Sequence, residues 1–446
     1  MCLRTIQAPS SDSVAEGLKS ALRAQPGAST LRNWYGLASK TLSLEDFRAA
    51  VMRQNDLTCL TIDTTGACDL SCSGMCYYHP GIDISQRLVP EDALQRAVED
   101  AQAHLNLRQL IVMGKEPFLN PQRLFSLIRH AGSIKASDLK VGIVTNGRHV
   151  HRHWDALSEV SASKALDFID ISIDSGFPEQ HDSIRGIPGT FDLAFSALKQ
   201  VGERLTGVRP CVSAALRTDN AEGLLELVLK AAPFNNNFCI TPIQPPPFGN
   251  TAPISTAAIA AFLHRLIGVL NEGLVDAGVE VVVSLHGLYL YDAVQDGFFG
   301  WEDLREDRSG QVYAVRNIGA NRLIFTCTVL PEYGWRLARI TYTGAYLSHA
   351  HFLQVQNPEK HATGYIQNEP IMTLYERAKE RSGLFGRLLD SRATHSCCGR
   401  PCWSSCFGGW TVSENSFLTG KPLASKPSLC LKGEAVLNIL QESVAQ

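Results

Sequence analysis

The chain has 446 residues, long enough for two or three domains around a large core. With 41 Lys and Arg against 44 Asp and Glu, its formal net charge is −3. That balance argues against a nucleic-acid partner or an anionic membrane surface.

Residues 1–55 read as helical, with a Pro/Gly/Ser break near Pro26–Thr30. Leu44, Phe47, Ala50 and Val51 form an apolar stripe behind Ser43, an N-cap residue type. From Thr58 the pattern alternates. Strand-like runs are expected at Thr58–Thr65, Gln109–Met113, Lys140–Thr145, Phe168–Ile173, Arg209–Leu216, Asn237–Ile243 and Val279–Leu285. Helices are expected between them, at Glu91–Asn106, Pro121–Ala131, Trp154–Ser163, Thr190–Leu205, Ala221–Ala232 and Ala257–Ala277. Near-continuously apolar strands alternating with helices predict an α/β fold with a helix-covered parallel sheet. Six or seven units without an eighth predict a partial (β/α)6 TIM-like barrel, which places its ligand site at the carboxyl ends of the strands. From about Asp292 the rhythm stops. A strand-like stretch, Arg336–Tyr346, and a helix, Ile371–Asp390, then lead to a cysteine-rich end. The reading divides the chain into an N-terminal extension, 1–55, a barrel, 56–290, and a cysteine-rich extension, 291–446.

Of thirteen cysteines, nine fall at 68–76, 327 and 397–430. Residues 1–20 carry no apolar segment of the export-signal type, and no run of 18 apolar residues occurs. Clustered cysteines in such a chain read as metal ligands in a reducing compartment, the cytoplasm, rather than as disulfides. Cys68, Cys72 and Cys76 recur every four residues in a Gly- and Ser-rich loop just after the first strand-like run. Three thiolates on a short loop can hold a [4Fe–4S] cluster and leave its fourth iron open. A zinc knuckle, with His79 as fourth ligand, or a set of redox thiols uses the same residues.

The loop resembles the cluster loop of the radical S-adenosylmethionine (SAM) superfamily, where the free iron is chelated by SAM. The family pattern is C-x3-C-x2-C. Here one residue more separates the last two cysteines, with Met75 before Cys76, and Gly74 can absorb it. Further strand ends carry the same resemblance. Gly114-Lys115-Glu116-Pro117 is similar to the G-G-E-P motif that holds the SAM amino group, with Lys115 in place of the second Gly. A Lys takes positive φ only at a cost, so a different turn is expected there. Thr145-Asn146-Gly147 resembles the family's T-N-G turn. Ser172 and Asp174, followed by His181-Asp182 and Arg185-Gly186, resemble the segment that contacts the ribose and carboxylate of SAM. Arg217, on the fifth run, is either a further carboxylate partner or a surface residue. The loop Thr241–Pro253, stiffened by three prolines, lines the mouth or serves as a rigid linker.

Cys327, a hairpin with Gly344, a helix and then Cys398, Cys402, Cys406 and Cys430 resemble the SPASM and twitch extensions of radical SAM enzymes. Those extensions hold auxiliary Fe–S clusters. The spacing departs from that pattern: His349 stands where a Cys follows the hairpin glycine, and the later interval is shorter. One auxiliary [4Fe–4S] cluster is expected, with Cys397, His349 and His351 as spare ligands and structural zinc as the alternative. The resemblance implies reductive cleavage of SAM and hydrogen abstraction from a substrate, with an electron donor such as flavodoxin or ferredoxin. The substrate expected is a ribosomally made peptide that is oxidised or cross-linked. A small sugar or cyclitol, and a non-enzymatic Fe–S or zinc protein, remain the alternatives.

Overall fold

The computed structural model of the chain describes residues 44–53, 55–72, 76, 78, 87–243, 254–271, 278–286, 293, 296–300, 303, 305–306, 312–328, 336–348 and 357–380. The Val-, Ile- and Leu-rich runs become strands of one sheet: β1 Cys59–Asp63, β2 Gln109–Met113, β3 Lys140–Thr145, β4 Phe168–Ser172, β5 Arg209–Leu216, β6 Asn237–Pro242 and β7 Glu280–His286. The helices are α1 Leu44–Met52, α2 Glu91–His104, α3 Pro121–Ile134, α4 Trp154–Ala162, α5 Pro178–Arg185, α6 Thr190–Arg204, α7 Ala221–Ala231 and α8 Thr256–Asn271. Their starts follow local chemistry. Asn120 Oδ1 accepts from Arg123 N (3.4 Å) ahead of Pro121, while Glu91 and Asp92 sit in the first turn of α2, where the helix dipole favours negative charge.

Later residues complete the sheet. β8 Arg305–Glu306, β9 Val312–Ile318 and β10 Asn321–Thr328 extend one edge. β11 Leu337–Ile340, β12 Ala345–Leu347 and β13 Gly364–Tyr365 extend the other. The order is β13-β12-β11-β1-β2-β3-β4-β5-β6-β7-β10-β9-β8. From β11 to β10 every neighbouring pair is parallel; the hairpins at either end are antiparallel. The sheet does not close on itself, so the fold is α/β with an open, mainly parallel sheet. One face packs under the helices into a single core that includes Leu60, Val112, Ile143, Ile171, Val212 and Phe238. On the opposite face Cys59, Ile111, Phe168 and Leu337 form a small apolar cluster.

The sequence stops alternating near residue 292, but the sheet continues. Cys327 lies in β10, in parallel register with Leu285 of β7, and Leu337–Ile340 pair with Cys59–Ile62 of β1. The strand-like stretch Arg336–Tyr346 is the β11–β12 hairpin, turned at Gly344 (φ +90°). A ninth helix, α9 Ile371–Lys379, covers the start of the expected helix and packs against α2. Residues 1–43, including Ser43, and residues 244–253, 272–277 and 381–446 lie outside the described residues. Among the described residues no helix is long and apolar enough to cross a membrane.

Candidate functional site

The cysteine loop leaves the carboxyl end of β1 and is fastened first to the loop after β2. Thr64 N donates to Met113 O (2.7 Å), Lys115 N to Thr65 O (3.2 Å) and Glu116 N to Ala67 O (3.0 Å). Gly114 is needed for closeness: a Cβ there would stand 2.7 Å from Thr65 O. Lys115 is not among the residues with positive φ, in keeping with a turn that does not need a glycine there. Further along, Ser71 N donates to Arg185 O (3.2 Å). Gly186 ends α5 at φ +77°, and a Cβ would meet Ser71 O at 2.4 Å. The R-G pair therefore supplies both a left-handed helix end and a seat for the loop.

Glu116 is fully buried, and its side chain holds two strand ends together. Its Oε1 accepts from Phe118 N (3.1 Å) and Thr145 Oγ1 (2.7 Å), and its Oε2 from Asn146 N (2.8 Å). The carboxylate that the family resemblance assigns to the SAM amino group is thus engaged in joining the β2 and β3 loops. Burial pushes its pKa up to about 7, against these donors. The folded state keeps a proton that the unfolded chain loses near its ordinary value of 4.5, so this group's contribution to stability falls as pH rises from about 4.5 to about 7. Relative to Glu116→Gln, the wild type should lose up to about 3 kcal/mol across that window. Urea melts of both proteins at pH 4.5 and pH 8 check this; a constant difference would contradict it.

Asp69, beside Cys68, reaches the loop after β3. It accepts from Asn146 Nδ2 (3.0 Å), pairs with His149 Nε2 (2.8 Å) and bonds Arg148. Partial burial opposes its ionisation, but His149, Asn146 and Arg148 hold its carboxyl below the usual range. After β4, Asp174 Oδ2 lies 2.7 Å from Arg185 Nε, and Asp174 Oδ1 accepts from Ala215 N (3.0 Å). His181 Nδ1 accepts from Asp174 N (3.1 Å); burial lowers its pKa to about 4, so the ring stays neutral. Asp182 accepts from Gly189 N (2.5 Å) and Phe191 N (2.7 Å) at the start of α6. The H-D-x-x-R-G series therefore serves mainly to order its own loop, with Arg185 reaching outward: its Nη1 stands 4.0 Å from Cys72 Sγ. Ser172, at the end of β4, pairs in register with Ser213. Arg217 grips Asp219 in a two-point pair (2.8 and 3.1 Å).

Cys68 is exposed, Cys72 and Cys76 are half-buried, and all three thiols are free. Cys68 and Cys72 lie within electrostatic reach of each other, as do Cys72 and Cys76. Burial raises the Cys72 pKa, and the Arg185 cation opposes it, favouring the thiolate that a metal needs. Among the described residues no three His, Cys, Asp or Glu side chains converge on one point as a single ion requires. A cluster asks for less, because its three ligated irons are separate corners. Three thiolates are the donor set a cluster with one open iron takes, and His79, the fourth ligand of the zinc alternative, lies outside the described residues.

Residues 62–227 match the family model of the radical SAM superfamily. Residues 62–227 form a radical SAM domain. The domain runs from inside β1 into α7 and contains every strand-end residue described above. Solved structures share its fold. Native anSMEcpe with bound AdoMet is 15% identical, with a TM-score of 0.50 over 85% of this chain and 100% of that one. Native anSMEcpe with bound AdoMet and Kp18Cys peptide is also 15% identical, with a TM-score of 0.52 over 85% and 99% of the two chains. Comparison with curated proteins found no match.

Met75, Gly74 and His79 lie outside the described residues, as do His349, His351, Cys397, Cys398, Cys402, Cys406 and Cys430. Several members of the radical SAM domain's site escaped the sequence reading. Asp69 and His149 have no motif of their own. Asn220, fully buried, donates to Asp174 O (2.9 Å) and Ala215 O (2.8 Å), and its only signal was its place just before α7.

Proposed function

We propose that Cys68, Cys72 and Cys76 hold a [4Fe–4S] cluster whose open iron binds S-adenosylmethionine, and that the protein modifies a ribosomally made peptide by oxidation or cross-linking. The observation that carries the cluster assignment is the anchoring of the cysteine loop at the carboxyl end of β1. It is fastened to the loops after β2, β3 and β4 through Thr65, Asp69 and Ser71. When bound, the cluster and SAM together supply reductive C–S cleavage and a 5′-deoxyadenosyl radical. The chain's own residues orient and shield. Gly114 lets the backbone approach the loop, Asp174 holds Arg185 in place beside Cys72, and the spare N–H groups of Arg185 suit a carboxylate. Ser172 offers a hydroxyl at the adjoining strand end. The peptide assignment is supported by the H-D-x-x-R-G segment and by the peptide-bound neighbour of the same fold. Anaerobic reconstitution with iron and sulfide, reduction with dithionite and addition of SAM should yield 5′-deoxyadenosine. A fully reconstituted protein that leaves SAM intact would overturn the assignment.

The proposal extends to the cysteine-rich end. Four ligands drawn from Cys327, Cys398, Cys402, Cys406 and Cys430 would hold one auxiliary [4Fe–4S] cluster in a SPASM- or twitch-like region, 291–446. Of that region, β8 to β13 belong to the same sheet as the barrel strands, so the expected boundary at 290, unlike that of the extension 1–55, falls inside the sheet. The electron donor would be a flavodoxin or ferredoxin. The intact protein should then contain about eight irons, and a Cys402→Ala/Cys406→Ala variant about four, with SAM cleavage kept and product lost. Metal analysis of anaerobically purified protein decides; four irons in the intact, reconstituted protein would remove the auxiliary cluster.

A further inference from the structure

One departure from the radical SAM pattern lies against Tyr78: Lys115, which stands in a glycine's place. Tyr78 follows Cys76 by two residues and is buried, 6% exposed. Its hydroxyl donates to Asp63 Oδ1 (3.0 Å), in the last residue of β1, and accepts from Arg339 Nη2. Arg339, on β11, grips the same carboxylate through Nε (3.0 Å to Oδ2) and Nη2 (2.5 Å to Oδ1). Its guanidinium lies 5.1 Å from the centre of the Tyr78 ring, and the Lys115 ammonium lies 5.7 Å from it. Asp63 and Arg339 are 0% and 3% exposed, so the pair is shielded from water and salt.

We propose that Tyr78, held by Asp63 and Arg339 and covered by Lys115, is a positioning residue that fixes the Cys76 arm of the cluster loop. The incoming side of the loop is fastened by the β2, β3 and α5 contacts. Among the described residues these contacts go no further than Cys72, whose Sγ lies 4.0 Å from Arg185 Nη1. Beyond it, Tyr78 is a described residue that combines a hydrogen bond to the scaffold with contacts to two cations. Ordering a loop end on metal binding costs conformational entropy, and an aromatic ring gripped at its edge and beside two cations, two residues after Cys76, fixes that end beforehand. Arg339 lies outside the matched domain, residues 62–227, so a residue from later in the chain completes the cysteine loop.

The inference rests on the cluster assignment above, and its test separates the two. The variant is Tyr78→Leu, which removes ring and hydroxyl while leaving the Asp63–Arg339 pair intact. Two readouts are taken on reconstituted protein: the rate at which a chelator strips iron from the SAM-binding cluster, and the change in the EPR spectrum of the reduced cluster on adding SAM. Wild type establishes that the cluster is present; a wild type without it fails the functional assignment, whatever the variant does. Given the cluster, Tyr78→Leu should lose iron at least about tenfold faster and show a broadened or absent SAM-induced EPR change. Tyr78→Phe, which keeps the ring beside its two cations, should restore the EPR change. Should Tyr78→Leu fail to fold, Lys115→Met gives the decision, with iron loss about threefold faster. A decisive variant matching wild type in both readouts would overturn the inference, as would a Tyr78→Phe protein no better than Tyr78→Leu.

Discussion

Cys72→Ala should abolish formation of 5′-deoxyadenosine under reducing, anaerobic conditions. Cys68→Ala and Cys76→Ala should do the same. With three protein ligands for one open-site cluster, loss of any one leaves two irons without a protein ligand, and no site for SAM can form. Cys72 carries the largest burden, because it is half-buried and Arg185 Nη1 approaches its sulfur to 4.0 Å. The matched control is Cys211→Ala. That thiol is buried in β5, where burial pushes its pKa far up, and its loss should leave SAM cleavage in place. Chromatography of the quenched reaction and iron analysis of each protein provide the measurement. Cleavage retained in any of the three loop variants would refute the ligand assignment.

Arg185→Met should be the most destabilising change at the site. Asp174 is fully buried, and its Oδ2 stands 2.7 Å from Arg185 Nε; without that cation this oxygen loses its ion-pair partner, while Oδ1 keeps the Ala215 N–H. Breaking a buried pair from one side costs about 3–5 kcal/mol, a large share of the roughly 5–15 kcal/mol that holds a typical protein folded. The Asp174→Asn/Arg185→Met double variant removes the stranded charge and should recover much of the loss. Urea titrations of the single and double variants, made without iron so that metal binding does not contribute, test this. Equal stability of Arg185→Met and wild type would show that the pair is not holding the β4 loop.

What was legible in the sequence was what local pattern encodes. β2, β3 and β5 fall on the residues read from their apolar runs, because strands covered on both faces need little else. The cysteine loop and the strand-end motifs lie together at the carboxyl ends of β1 to β4, because the motifs follow runs that fold as parallel neighbours. α5 was not read as a helix: Pro178–Arg185 is short and polar, and tertiary contacts through His181 and Gly186 make it. β10 and β11 were not read as members of the barrel sheet, because parallel pairing between distant segments leaves no periodic trace. Glu116 was recognised by its motif, but its role in tying strand ends depends on Thr145 and Asn146, which only the fold brings near. Lys115 looked like a defect of a glycine motif and stands over Tyr78 instead.

The pairing of β11 with β1 also bears on how the protein is made. Thr58 Oγ1 bonds Arg336 O across 278 positions of chain, and Arg339 reaches Asp63 across 276. A ribosome adding about 5–20 residues per second needs roughly 15–55 s to cover that interval. Throughout it, β1 is an unpaired edge, and edges of this kind invite pairing with other chains. The strand that launches the cysteine loop is therefore completed late, and the growing chain exposes that edge until β11 has been made.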